Sequence, residues 1–168
     1  MKALIVSLGL ILLTPSVNAE ESWIFSQRIP VTTEAKEGVF HHLEGAGRKH
    51  IALSENTLAV VWEDDHSGAP QIYLTHKTTD SKQFSAIQQL STGKEAYEPA
   101  LTGLSGNRFV MVWEQDGGVY VRAHKNQQLS AQIKLSQAPA SHASITSLGN
   151  SAFAVWREQR SAGWSLWV

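Results

Sequence analysis

No cysteine occurs anywhere in the 168 residues. Disulfides, thiolate metal centres and thiol nucleophiles are therefore excluded from this sequence, as is a lipid anchor on an N-terminal cysteine. A fold of this length must then be held by an ordinary hydrophobic core. An excess of one charge is lacking too: 14 Lys and Arg oppose 15 Asp and Glu, for a net charge of -1. Without a basic cluster to neutralise phosphates, no nucleic-acid partner is expected. Beyond Leu13 no apolar run approaches the roughly 20 residues of a spanning helix, so no membrane span is expected. A glycine-rich phosphate loop, a nucleophile elbow and a helical metalloprotease motif are also missing, and no cofactor is expected.

What is present begins at the N-terminus. Lys2 supplies a positive start, Ala3 to Leu13 form an apolar run, and Thr14 to Ala19 end on small residues before Glu20. Charge, apolar stretch and small-x-small site make the pattern of a secretory signal peptide. The expectation is a signal peptide over 1–19, cleaved after Ala19. A periplasmic or secreted domain over 20–168 then follows.

An internal repeat organises that domain. Three stretches align on a tryptophan: His50 to Trp62, Pro99 to Trp113 and His142 to Trp156. Valine precedes each Trp, and an asparagine (Asn56, Asn107, Asn150) stands six residues before it. Gly106-Asn107 and Gly149-Asn150 are suited to the positive φ of a tight hairpin turn. Each stretch therefore predicts strand, turn, strand. The second strands, Leu58 to Trp62, Phe109 to Trp113 and Ala152 to Trp156, are almost wholly apolar, which predicts burial on both faces.

Third strands are expected over Gln71–Lys77 and Val119–Lys125, and from Trp164 to Val168. Fourth strands are expected over Phe84–Ser91 and Leu129–Ser136, with a matching segment at Phe25–Thr32. The units are thus about 48–91, 99–136 and 142–168, with 23–32 as an offset fourth strand. Repeated four-stranded units stack face to face. The expected fold is all-β, a partial β-propeller of about three four-stranded blades. Closed propellers have about 4–8 blades. Two alternatives follow: a homodimer completing a six-bladed ring, or a part of a longer chain.

Trp62-Glu63-Asp64-Asp65-His66-Ser67-Gly68, then Ile72-Tyr73, resembles the repeats of bacterial sialidase-like (BNR, Asp-box) six-bladed propellers. The family run is Trp-x-Asp-Asp-Arg-x-Gly; His66 stands in place of Arg, while Arg160 occupies the equivalent place in the third unit. The Asp box is short at Thr78 to Phe84 and absent at Lys125 to Leu129. The resemblance implies three arginines clamping a sialic-acid carboxylate, a tyrosine nucleophile with a glutamate, and an aspartate acid/base. Arg28-Ile29-Pro30 matches the family motif for the first arginine. The internal alignment, however, places Arg28 where Ile87 and Gln132 fall in ordinary fourth strands.

Tyr97 beside Glu98 is the one tyrosine–glutamate neighbourhood, so Arg28, Tyr97 and Glu98 are the catalytic candidates. Tyr73 and Tyr120 are expected to pack, Arg108 to serve a turn, and Arg122 to lie half-exposed on a strand. His41-His42 with Glu44 carries metal-type donors, but adjacent residues of an extended chain point opposite ways. The span Thr33 to Gly47 around them is longer than its counterpart before Pro99 and is expected to be a solvated linker on a binding face. Glu63-Asp64-Asp65-His66 matches no calcium loop and is expected to be a solvated turn. His41, His42, Arg48, Asp64, Asp65, His66 and Arg160 are the candidate ligand-binding residues, and no metal is expected. The leading expectation is a non-catalytic sialidase-like module whose partner is a glycan or protein. The alternatives are an exo-sialidase active as an oligomer or in a longer form, and a decayed fragment.

Overall fold

A computed structural model describes residues 30–31, the backbone of 41–42, and 48–168. The expected signal peptide, Arg28, and all of the expected 23–32 strand except Pro30-Val31 lie outside the described residues. No helix occurs among the described residues; the chain is all-β, in three antiparallel sheets, none of them closed.

The first sheet contains β1 (His41–His42), β2 (Ile51–Ser54), β3 (Thr57–Asp64), β4 (Gln71–Thr78) and β5 (Gln88–Gln89). In the second are β6 (Ala96–Leu104), β7 (Arg108–Gln115), β8 (Gly118–Lys125), β9 (Gln128–Leu129) and β10 (Ile133–Lys134). The third is formed by β11 (Ala140–Leu148), β12 (Ser151–Arg160) and β13 (Gly163–Trp167). The expected hairpins form in all three. Gly106 and Asn107 turn with φ of 77° and 52°; Gly149 turns at 58°, and in the first sheet Glu55 takes the left-handed position at 50°.

The aromatic repeat acquires a structural meaning. Trp62 lies opposite Tyr73, Trp113 opposite Tyr120 and Trp156 opposite Trp167 across the same strand pair. Cross-strand aromatic pairs of this kind fix register. Each indole N–H also donates to a buried polar side chain two residues on. Trp62 reaches Asp64 at 2.8 Å, Trp113 reaches Gln115 at 3.1 Å, and Trp156 reaches Glu158 at 3.0 Å. On a strand, i and i+2 share a face, so the acceptor stands beside the ring that needs it.

Two cores lie between the sheets. Ala59, Val61, Ile72 and Leu74 of the first sheet pack against Leu101, Phe109, Met111 and Trp113 of the second. Val110, Val112, Val119 and Val121, from the second sheet's other face, pack against Ile145, Ala152, Ala154 and Trp156 of the third. Approach is close at the first junction. A β-carbon on Gly103 would overlap the Leu53 carbonyl oxygen, so only glycine fits there.

Three expectations need correction. The second strands are buried on both faces in the first two sheets, but β12 exposes Phe153 and Val155 (48% and 42%), because no sheet among the described residues packs on that side. The fourth strands are broken: only β5, β9 and β10 pair regularly. Ser85 and Ser130 hydroxyls accept the His76 and Ala123 amides, and a side-chain bond there competes with the strand ladder. Finally, His41-His42 is not linker. It pairs with Asp64 and Glu63 and so continues, on the same edge of β3, the strand that resumes at β2.

Candidate functional site

The strand registers gather the chemistry at one end of all three sheets. At that end β3, β7 and β12 finish, while β1, β6 and β11 begin. Two of these starting strands carry a bulge there, at Glu98 (φ 54°) and His142 (φ 59°). A bulge with a left-handed residue re-aims the backbone, and here it turns the amide toward the preceding sheet. The Glu98 N–H donates to Glu63 at 3.0 Å, and the His142 N–H donates to Glu114 at 2.6 Å. Both acceptors directly follow a repeat tryptophan, so one rule builds both junctions.

Arg48 ties the three sheets together. Its Nη1 donates to the carbonyls of Glu98 (3.0 Å) and Ala143 (2.8 Å); its Nη2 reaches Glu114 at 3.2 Å and pairs with the Glu98 carboxylate. The side chain is only 8% exposed. Burial lowers its pKa from the usual value, and Glu114 opposes that. With two carbonyls and two carboxylates on its terminal nitrogens, Arg48 is a strut between sheets.

Every other arginine among the described residues is also engaged by the protein. Arg108 bonds Ser105 and Asn150 at the β6–β7 turn, as expected for a turn residue. Arg122 bonds the carbonyls of Ser130 and Leu90. Arg157 bonds Ser141 and lies over the Trp164 ring; Arg160 pairs with Glu158 and lies over Trp167. No three of these converge as a free clamp for a carboxylate, and Arg28 lies outside the described residues.

Asp64 is not part of a solvated turn. It is 2% exposed and accepts from the Trp62 indole, the His66 amide and the His66 ring. Burial pushes its pKa up, but the bonds from Trp62 and His66 outweigh that and hold it below the usual carboxylate range. Asp65 caps the same turn, its carbonyl accepting the Gly68 amide at 2.8 Å. His66 packs its ring on Tyr73 at 4.5 Å. No group of three or more metal-type ligands occurs among the described residues. His41 and His42 sit at the same end through their pairing with β3.

Tyr97 pairs with a different glutamate from the one adjacent to it. Its hydroxyl donates to Glu95 at 2.7 Å, whereas Glu98 is taken by Arg48. Alternation explains this: neighbours on a strand point apart, while i and i+2 point together. The Glu95 bond is the first cause, with burial second, pushing the Tyr97 pKa up to about 12. Around this pair runs a groove lined by Lys94, Glu95, Tyr97, Glu114, Asp116 and Gly117. Tyr97 presents 37% of its surface to it.

Glu95, Glu114, Asp116 and His142 are not among the sequence candidates, and Glu63 enters there only as part of the Glu63-Asp64-Asp65-His66 stretch. The available signal was the polar residue after each Trp, and the Glu-x-Tyr spacing. A scan against protein-family models and a search of curated proteins both find nothing that matches this chain.

Proposed function

We propose that the three sheets are blades of a sialidase-like β-propeller, and that this exported module binds a neutral carbohydrate in the groove at Tyr97 without catalysis. One observation carries the reading: a half-exposed tyrosine is fixed by a carboxylate within a groove of hydrogen-bonding side chains. An aromatic ring offers an apolar face to sugar C–H groups, and carboxylates accept from sugar hydroxyls. Glu95 and Asp116 oppose an anionic sugar, since like charges at a recognition surface repel. The arginines that would attract one are consumed by protein groups.

Calorimetric titration of the exported protein with neutral oligosaccharides tests this. Binding is expected, with affinity falling about ten-fold in Tyr97→Ala, which corresponds to about 1.4 kcal/mol. Absence of any carbohydrate binding, with capture of a protein at the same groove, would replace the ligand class.

The Tyr97–Glu95 bond favours one second reading. A tyrosine next to a carboxylate base is the arrangement a tyrosine nucleophile needs, and the family resemblance would make it an exo-sialidase. A fluorogenic sialoside separates the two. Turnover abolished by both Tyr97→Phe and Glu95→Gln supports the enzyme; no turnover supports the binding module.

A further inference from the structure

At the opposite end of the strands from the Arg48 strut, two histidines meet across the first junction. His76 pairs with Ala59 in the first sheet, and His124 pairs with Phe109 in the second. Ala59 and Phe109 both line the core between these sheets, so each imidazole faces the other sheet. The arrangement comes from an offset in the repeat. Tyr73 and Tyr120 occupy matching places, which puts His76 level with Ala123 and His124 level with Lys77. One residue of offset turns the two rings to opposite faces of consecutive sheets, and hence toward each other. Their centres lie 4.8 Å apart, with 49° between the planes. His76 is partly exposed, whereas His124 is 2% exposed. Neither His124 nitrogen meets a hydrogen-bonding group among the described residues, the His76 ring included. Gln88 lies opposite Leu74 and so on the His76 face. Its amide nitrogen bridges to the Gln127 carbonyl at 3.0 Å, while its side-chain oxygen is buried with no donor among the described residues.

A polar ring this deeply buried almost always has a partner, and an ion between the two imidazoles supplies one to both. We propose that His76 and His124 bind one divalent transition-metal ion, each through a ring nitrogen, with water completing the shell from the His76 side. Nitrogen ligands hold such ions at about 2.0–2.1 Å, so two imidazoles subtending about 90–110° at the metal keep their centres about 4.5–5.3 Å apart. The observed separation falls inside that range without movement of either strand. Both rings have a lone pair to give. Burial lowers the pKa of His76; burial first, and then His76, brings that of His124 to about 4, so both are neutral at neutral pH. Imidazole suits zinc, copper and nickel, whereas calcium and magnesium take oxygen. Arg122, on the same face of β8, bonds the carbonyls of Ser130 and Leu90. Its charge opposes the ion, and two protein ligands leave the shell open, so binding is weaker and more exchangeable than at a closed four-ligand site. Bound there, the ion pins the first sheet to the second and stabilises the fold by mass action. This inference is independent of the carbohydrate reading, whose groove lies at the other end of the sheets.

Calorimetric titration of the exported protein with Zn²⁺ near neutral pH tests this, alongside His76→Asn and His124→Phe. The wild type is expected to take up an ion that either substitution weakens by at least about ten-fold. Zn²⁺ should also raise the thermal midpoint of the wild type and leave that of each variant in place. Near-UV circular dichroism reports whether the variants fold, and His76→Asn, at the partly exposed ring, carries the test if His124→Phe does not. Cu²⁺ gives a readout free of substitution: its paramagnetism should broaden the ring resonances of His76 and His124 together, ahead of the other histidines. No uptake of either ion overturns the inference. So does uptake that a folded variant retains at full affinity, or broadening confined to other histidines.

Discussion

The second and third sheets share a sequence pattern but not an environment. In the second, Phe109, Met111, Val112 and Trp113 are fully buried, because sheets pack on both of its faces. In the third, Trp156 is 8% exposed while Val155, its neighbour on the other face, is 42% exposed. A run of apolar residues thus encodes a strand that can be covered twice, and the neighbours decide whether it is. The difference also divides the tryptophans into those that hold the fold and those that lie on its outer surface.

Replacing one tryptophan of each kind tests that division most strongly. Trp113→Ala removes a fully buried ring and is expected to cost about 4 kcal/mol, whereas Trp164→Ala costs under about 1 kcal/mol in the monomer. Urea unfolding of both variants gives the two values, and equal costs would erase the distinction between the sheets.

Arg48 and Arg157 allow a smaller version of the same comparison. Arg48→Met leaves Glu98 and Glu114 without their cation at the centre of three sheets and is expected to lose about 2–3 kcal/mol. Arg157→Met, at the uncovered face, should lose less than about 0.5 kcal/mol. Adding Glu114→Gln to Arg48→Met should recover part of the loss, as a double-mutant cycle would register.

The smallest effect concerns acid. His124 is 2% exposed at the first junction, 4.8 Å from the His76 ring, and neither of its nitrogens has a partner. Burial first, and then His76, lower its pKa from 6.5 to about 4. A folded state that holds this ring neutral binds fewer protons than the unfolded chain between those values. Stability contributed above pH 6.5 is therefore lost as pH falls toward 4. His124→Phe should flatten the denaturation midpoint across that window; a slope that survives the substitution would assign the effect elsewhere.

Much of this architecture was legible in the sequence. The Val-Trp repeat and its Asn spacing located the hairpins and third strands, because β-pairing and tight turns leave strong local signals. The fourth strands are shorter than the sequence predicts, since Ser85 and Ser130 interrupt them through side-chain bonds that no apolar pattern announces. Asp64 is buried where the sequence predicts a solvated turn, for a related reason. Its counterparts are Gln115 and Glu158, so the common role of accepting an indole proton is hidden behind three different residue types. The Tyr97–Glu95 pair was within reach from alternation alone, but the Arg48 strut was not. Its partners Glu98, Glu114 and Ala143 lie 50 to 95 residues away, and only the stacking of sheets brings them together.

The interruption of the first sheet's leading edge has a practical side. Where the second and third sheets step from Tyr97 to Ala100 and from Ser141 to Ser144, the first steps from His42 to His50, yet β3 keeps its pairing on both sides. The scaffold therefore tolerates segments of differing length at this rim without shifting register. New recognition loops could be grafted there, at the bulges of any of the three units, while the underlying ladder stays as it is.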